Sequence, residues 1–197
     1  MKRFVITIAL LIASITTYSQ GSYKLDQKNG FNKFILGTDL QYNKKLGKLS
    51  RLKMNVKSDV LELYEVTRIN DIKLFGYDLG SISLLFYKDK LLQITVNLKN
   101  YEIPSDDNLG LISIDISNKI GEEYGSWGDL NLMGEDIVNN VHFKRSILGS
   151  KVTLYRYAYN GTRIADFRTV WQGDRYLFIS NEVYNRMQAE QGDSSGL

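Results

Sequence analysis

Two stretches in the first half of the chain alternate between apolar and polar residues with a period of two. Ser81 to Tyr87 and Leu91 to Leu98 follow this pattern on either side of the polar segment Lys88-Asp89-Lys90. Because successive side chains of a strand point to opposite faces, the pattern predicts an antiparallel hairpin with one buried side. The predicted buried side consists of Ile82, Leu84, Phe86, Leu92, Ile94, Val96 and Leu98.

Shorter signals precede this hairpin. Phe31 to Leu36 reads as a short strand, and Leu61 to Thr67 as a longer one. Between them, the hydroxyl of Thr38 is a suitable N-cap for a helix from Leu40 towards Leu46. Gly47 then predicts the end of that helix, since glycine is a poor helix former and common just past helix ends.

The second half begins with the most regular helix pattern in the chain. Ser105 is the predicted N-cap, and Asp106 and Asp107 complement the positive end of the helix dipole. The helix is expected to end at Gly125. Its apolar stripe is Leu109, Ile112, Ile116 and Ile120.

A three-stranded meander is predicted after this helix. Lys151 to Tyr159, Thr162 to Gln172 and Arg175 to Ile179 are separated by Asn160-Gly161 and Gly173-Asp174, which favour two-residue hairpin turns. Such turns fix the register of the neighbouring strands. The predicted pairs are Tyr159 with Thr162, Tyr157 with Ile164, Tyr155 with Asp166, Trp171 with Tyr176, and Thr169 with Phe178.

That register assigns the side chains to two faces. The face expected under the helix carries Val152, Leu154, Phe167, Trp171, Tyr176 and Phe178. The opposite face carries Tyr155, Tyr157, Tyr159, Ile164, Val170, Leu177 and Ile179, together with Asp166 and Arg168. A face that mixes apolar and charged residues is either covered by the other half of the protein or used for binding.

The predicted fold class is α+β, with two similar halves that each pack a helix region on an antiparallel β-meander. The halves, about 30–100 and 101–183, are expected to share one sheet or two abutting sheets within a single domain of residues 20–190. Residues 182–190 are expected to add a final helical turn or two. Residues 191–197 are expected to form a flexible tail.

The first residues have the layout of a secretory signal peptide, with basic Met1-Lys2-Arg3 followed by apolar Phe4 to Ile15. These twelve residues span only about 18 Å as a helix, against about 30 Å for a bilayer core, so no stable membrane span is expected. Small residues before the cut predict a signal of residues 1–19 and a mature N-terminus at Gln20. Cleavage after Gln20 is the alternative. The expected location is extracytoplasmic, either periplasmic or secreted.

The chain contains no cysteine, which limits both the ways in which the fold can be stabilised and the kinds of reactive site it can contain. A lipid anchor and disulfides are excluded, so the hydrophobic core must stabilise the fold alone. His142 is the single histidine, which removes multi-histidine zinc sites and leaves no recognisable catalytic triad. No phosphate loop or dinucleotide fingerprint is present. Neither a cofactor nor a metal is therefore predicted.

Acidic residues gather around Trp127, where oxygen ligands suit calcium but the spacing matches no calcium loop. A solvated acidic loop is the favoured interpretation. A hydrolase working through a pair of carboxylates is the alternative function, although no pair stands out. The acidic residues are Glu122, Glu123, Asp129, Glu135 and Asp136.

The net charge of the whole chain is +3, which gives no reason to expect a nucleic-acid partner. Its distribution is uneven, because residues 20–57 hold nine basic side chains against two acidic ones, while residues 58–142 hold fifteen acidic against six basic. Solvated faces of opposite sign within one domain are the favoured explanation. The alternative is a basic patch of Lys44, Lys45, Lys48, Arg51 and Lys53 that meets an anionic surface.

A row of tyrosines is the leading candidate for a ligand-binding site. Tyr155, Tyr157 and Tyr159 lie on one side of a single predicted strand, with Arg168 on its neighbour. Amphipathic rings suit a glycan, a peptide or another protein, while ordinary half-buried sheet packing is the competing explanation. The predicted function is a non-catalytic binding or envelope-assembly module for an unknown protein, glycan or envelope component.

The order of these signals resembles a pattern found in small exported bacterial proteins of unknown function. More distantly, the repeated plan of helix and meander is similar to the small lipoproteins of outer-membrane assembly and to the duplicated beta-lactamase inhibitor protein. The resemblance implies binding without catalysis. It is carried by Gly30 to Thr38, Tyr64 to Asp71, Ser81 to Leu91 and the helix end Tyr124-Gly125.

Overall fold

The structure is a computed structural model. It describes residues 23–54, 58–99, 101–103, 109–128, 141–159, 162–163, 169–171 and 174–193. Within these ranges, side chains are not described at 101–103, 109–113, 141–144, 158–159, 162–163, 169–171 and 192–193.

The protein has an α+β fold, as the sequence predicts. The described helices are α1 (23–28), α2 (Leu40–Leu46), α3 (Leu109–Tyr124) and α4 (Asn181–Asp193). The first seven strands are β1 (Gly30–Phe31), β2 (Phe34–Ile35), β3 (Leu49–Leu52), β4 (Leu61–Val66), β5 (Lys73–Leu74), β6 (Tyr77–Tyr87) and β7 (Lys90–Leu98). They are followed by β8 (Tyr101–Ile103), β9 (Val141–Leu148), β10 (Val152–Tyr159), β11 (Thr162–Arg163), β12 (Thr169–Trp171) and β13 (Arg175–Ser180).

One antiparallel sheet dominates the fold. Its strand order is β3-β4-β6-β7-β13-β10-β9, with β5 attached to β6. Two smaller sheets consist of β1-β2 and of β11-β12-β8. Strand β7 pairs with β13 from Asn97 opposite Arg175 to Gln93 opposite Ile179. Strands from both ends of the chain therefore contribute to a single sheet.

The main core lies on one face of this sheet, where it includes fully buried Ile116 and Ile120 of α3 and Leu25 of α1. The predicted helical stripe of α3 is confirmed at these two isoleucines, and the helix ends before Gly125 at a positive φ of 126° that suits glycine. The predicted inner face of the second meander is confirmed where its side chains are described, at Val152, Leu154, Tyr176 and Phe178. Phe167 and the side chain of Trp171 lie outside the described part of the chain.

The hairpin of β6 and β7 forms as predicted, with one correction. Lys88 and Asp89 make the turn at φ values of 45° and 66°. A bulge at the start of β7 then pairs Phe86 with Leu91, so Leu91 and not Leu92 points into the main core. Leu92 is buried on the opposite face.

The α4 helix covers that opposite face near the β6–β7 turn. Val183 of α4 packs with Tyr87 and Leu92, and partly buried Ile179 and Met187 surround them. The helix runs to Asp193 and so includes residues 191–193 of the predicted tail. No described helix is both long and apolar enough to cross a membrane.

The predicted register of the second meander is wrong. Strand β10 is bonded on one side to β13, which places Tyr155 opposite Leu177, and on the other side to β9, which places Tyr155 opposite Ser146. Both edges of β10 are occupied, so its predicted pairing with the segment from Thr162 is excluded at Tyr155 and Tyr157. Strand β12 leaves this sheet and pairs Thr169 with Ile103 and Trp171 with Tyr101.

Two expectations near the N-terminus also need correction. The predicted strand at Phe31 to Leu36 is a tight hairpin of β1 and β2, because Asn32 adopts a positive φ of 54° and reverses the chain. Asp39, not Thr38, is the N-cap residue of α2. The Thr38 hydroxyl instead accepts a bond from Asn43 Nδ2 at 2.9 Å.

Candidate functional site

Two rows of side chains cross the face of the main sheet that points away from the main core. Strands β6, β7, β13 and β10 are adjacent, and their registers bring equivalent positions into line. Each row spans about 15 Å at the usual strand spacing. We call these residues the outer face: Ser83, Thr95, Leu177 and Tyr155 form one row, and Ser81, Asn97, Arg175 and Tyr157 form the other.

The second row is connected by hydrogen bonds. Asn97 Nδ2 donates to Ser81 Oγ at 2.7 Å, and Arg175 Nε donates to Asn97 Oδ1 at 2.8 Å. These bonds join three neighbouring strands through their side chains. They hold an amide and a guanidinium in fixed positions beside Tyr157.

The two tyrosines on β10 lie next to each other at one end of the rows. The ring centroids of Tyr155 and Tyr157 are 6.4 Å apart, with their planes inclined at 44°. Burial raises the pKa of Tyr157, against a smaller opposite effect of the Arg175 charge. The hydroxyl is therefore neutral at physiological pH and can both donate and accept a hydrogen bond.

Only part of the predicted ligand site is described. Tyr155 and Tyr157 share a face as predicted, and both are half-buried. The backbone of Tyr159 pairs with Val141, but its side chain and all of Arg168 lie outside the described part of the chain. The position next to Tyr157, which the sequence assigned to Ile164, is occupied by Arg175.

Asn97 and Arg175 were not anticipated as site residues. The alternating pattern of its strand predicts which face of the sheet Asn97 lies on. It does not predict which residues of other strands lie beside it. The contact of Asn97 with Arg175 depends on the pairing of β7 with β13, and the two residues are 78 positions apart in the sequence. No local pattern links residues so distant in the chain.

A buried ion pair lies on the inner face of the same strands. Arg156 Nε donates to Asp174 Oδ2 at 2.7 Å, and both side chains are almost fully buried. The Tyr176 hydroxyl donates to the same oxygen at 3.1 Å. Burial and the neighbouring Asp174 charge raise the pKa of Tyr176 well above its usual value, so this hydroxyl stays protonated as a donor.

The residues considered for catalysis or metal binding are only partly described. Glu122 and Glu123 lie on α3, where Glu123 forms an ion pair with Lys28. Asp129, Glu135, Asp136 and the side chain of His142 lie outside the described part. Among the described residues, no group of three or more histidine, cysteine or acidic side chains is arranged to hold a metal ion.

The basic patch in and just after α2 makes contacts with acidic and aromatic neighbours. Arg51 pairs with Glu62 at 2.8 Å, and Lys44 lies over the ring of Tyr64 at 5.7 Å from its centroid. The pairs Arg51–Glu62 and Lys28–Glu123 each join the basic part of the sequence to the acidic part. These contacts favour opposed charged surfaces within one domain.

No protein-family model, curated protein or solved structure matches the chain. The functional interpretation therefore depends on the residues of this chain alone.

Proposed function

We propose that the protein is an exported, non-catalytic binding module whose outer face holds an extended polar ligand, such as a glycan or a peptide of the cell envelope. The observation that carries the proposal is the row that aligns Tyr157 with Arg175 and Asn97 across adjacent strands, with the ring of Tyr155 beside it in the neighbouring row. A row about 15 Å long fits a few sugar or amino-acid units.

The chemistry of these side chains suits recognition of polar polymers. Tyrosine rings provide rigid contact area and a hydroxyl, and such rings are common energetic anchors of binding surfaces. The amide of Asn97 and the guanidinium of Arg175 are hydrogen-bonded to each other, so little side-chain entropy remains to be lost on binding.

The alternative function is an extracytoplasmic hydrolase that uses a pair of carboxylates. The outer face favours binding over this alternative, because its two rows hold no carboxylate and the neighbouring strand β4 adds only Glu65, opposite Ser83, which is a single group and not a pair. A general acid and a base or nucleophile of the kind used by glycosidases would have to come from elsewhere.

Replacement of Tyr157 by alanine tests the proposal. Binding to a panel of purified envelope polysaccharides and peptides should weaken by about 1–3 kcal/mol, with little change in melting temperature. Tyr157→Phe removes only the hydroxyl and separates its contribution from that of the ring. Tyr184→Ala is the matched control, because Tyr184 is an exposed tyrosine on α4.

Two results would contradict the proposal. One is a sharp fall in melting temperature for Tyr157→Ala with ligand binding unchanged in the folded fraction, which would assign the ring to packing. The other is turnover of a polysaccharide or peptide that survives Tyr157→Ala, which would favour the hydrolase.

Export is the second part of the proposal and has its own test. Mass spectrometry of the N-terminus from the cell envelope should find a chain that begins at Gln20, or at the following residue. An intact Met1 retained in the cytoplasm would contradict export.

A further inference from the structure

Two arginines stand side by side on the inner face of the main sheet. Arg145 of β9 and Arg156 of β10 are directly opposite each other in the register. Opposite residues of antiparallel strands have Cβ atoms about 5 Å apart, and like charges in such pairs repel. A nearby anion would therefore stabilise both guanidinium groups.

Only one of these charges has a carboxylate partner among the described residues. Arg156 donates a hydrogen bond to the Asp174 carboxylate, which also accepts one from the Tyr176 hydroxyl. Arg145 is not part of this ion pair. Its Nε atom is buried and has no hydrogen-bond partner among the described residues, which leaves a donor of a permanent cation unsatisfied there. An unsatisfied buried donor is costly, and more so when it belongs to a charged group.

The surroundings of Arg145 leave it within reach of solvent. Its side chain is only partly buried, whereas Arg156 is 3% exposed. The segment after α3 reaches β9 beside it, where Gly128 N donates to the Ser146 carbonyl at 2.7 Å. Trp127 anchors that segment by donating to the Ser117 carbonyl at 2.8 Å.

We propose that Arg145, with Arg156 behind it, is the anchor of a binding site for a small oxyanion, namely the carboxylate or phosphate group of a ligand. A guanidinium presents paired donors that match the two oxygens of such a group. The anion would satisfy the buried donor and reduce the repulsion between the two arginines. This site lies on the inner face and does not depend on the function proposed for the outer face.

The test compares anions at constant ionic strength on the full mature chain. Inorganic phosphate and acetate should each raise the melting temperature more than chloride does, and the better of the two identifies the preferred group. In Arg145→Gln the apparent affinity for that anion should fall about tenfold or more. Arg68→Gln is the matched control and should keep the response, because Arg68 is an exposed arginine in the loop after β4.

The stability of the variant without added oxyanion provides an independent readout. Arg145→Gln should melt about 2–4 °C higher than the natural protein in chloride, since it removes a repelled cation. A lower melting temperature, or failure to fold, would show that Arg145 has an internal partner and would overturn the proposal. Equal responses to phosphate, acetate and chloride in the natural protein would also overturn it.

Discussion

At the scale of single residues, one carboxylate ties the first described helix to the turn between β9 and β10. Asp26 accepts hydrogen bonds from Ser150 N at 2.8 Å, Ser150 Oγ at 2.6 Å, Lys151 N at 2.8 Å and Val152 N at 3.1 Å. The close approach requires glycine at position 149, where a Cβ atom would lie 2.2 Å from Asp26 Oδ1.

These bonds set the expected pH dependence. Burial raises the pKa of Asp26, but the hydrogen bonds from residues 150–152 together lower it by more, so the net pKa lies below the usual 3.8. The folded state thus favours the ionised carboxylate. Its stabilising effect is complete above the unfolded-state pKa and is lost as the pH falls through the lower pKa of the folded state.

We expect Asp26→Asn to lower the free energy of unfolding by about 1–3 kcal/mol at neutral pH, because hydrogen bonds to a charged acceptor are lost. Urea denaturation at a series of pH values measures this. The difference from the natural protein should shrink as the solution becomes acidic. Asp71→Asn is the control, since Asp71 is exposed in a turn. An equal effect at every pH would contradict the assignment.

At the scale of elements, the turn between β6 and β7 contains conformational strain. Lys88 and Asp89 both have positive φ, which glycine adopts more easily than other residues. The backbone carbonyl of Asp89 accepts a bond from Leu40 N at 2.9 Å, and any residue at position 89 retains this bond. The strain therefore comes from the side chain and not from the hydrogen bonding.

Asp89→Gly should raise the free energy of unfolding by about 0.5–1 kcal/mol, because the left-handed conformation is no longer penalised. Urea denaturation at neutral pH measures the change. Asp71→Gly is the matched control in a turn without positive φ, and it should be neutral or destabilising because glycine adds freedom to the unfolded chain. A loss of stability in Asp89→Gly would contradict this account.

At the scale of the whole molecule, the pairing of β7 with β13 joins the last strand of the sequence to a strand from its first half. Ile94 and Phe178 face each other across this joint, and both are fully buried. The Phe178 ring also lies 5.7 Å from Phe31 and 5.4 Å from Tyr124. The core therefore continues across the joint, and the described elements are expected to unfold together.

Phe178→Ala should lower the free energy of unfolding by about 3–5 kcal/mol. Far-ultraviolet circular dichroism reports on the whole chain, and fluorescence reports on Trp127 and Trp171, the two tryptophans. Both signals should move to the same lower denaturant midpoint. Leu148→Ala is a control, because Leu148 is 65% exposed. Separate transitions for the two signals would contradict joint unfolding.

The local elements were predictable from the sequence. Alternation gave the hairpin of β6 and β7, helical spacing gave α3, and both depend on contacts between residues that are near in the chain. The face of a strand was also predictable for Leu154 and Tyr155, because it follows from the period of two. Leu92 is the exception, because the extra residue in the bulge moves its side chain to the opposite face of the sheet from the one predicted.

The pairing of strands, and the charged side chains that this pairing brings together, followed from long-range packing and not from any local pattern. Backbone hydrogen-bonding groups are the same in every strand, so the preference of β10 for β9 and β13 depends on side-chain packing across the whole sheet. The row from Asn97 to Tyr157 and the pair Arg145–Arg156 both result from that choice of partners. A local sequence pattern carries no information about pairing between distant strands. That pairing placed the two candidate sites on opposite faces of one sheet.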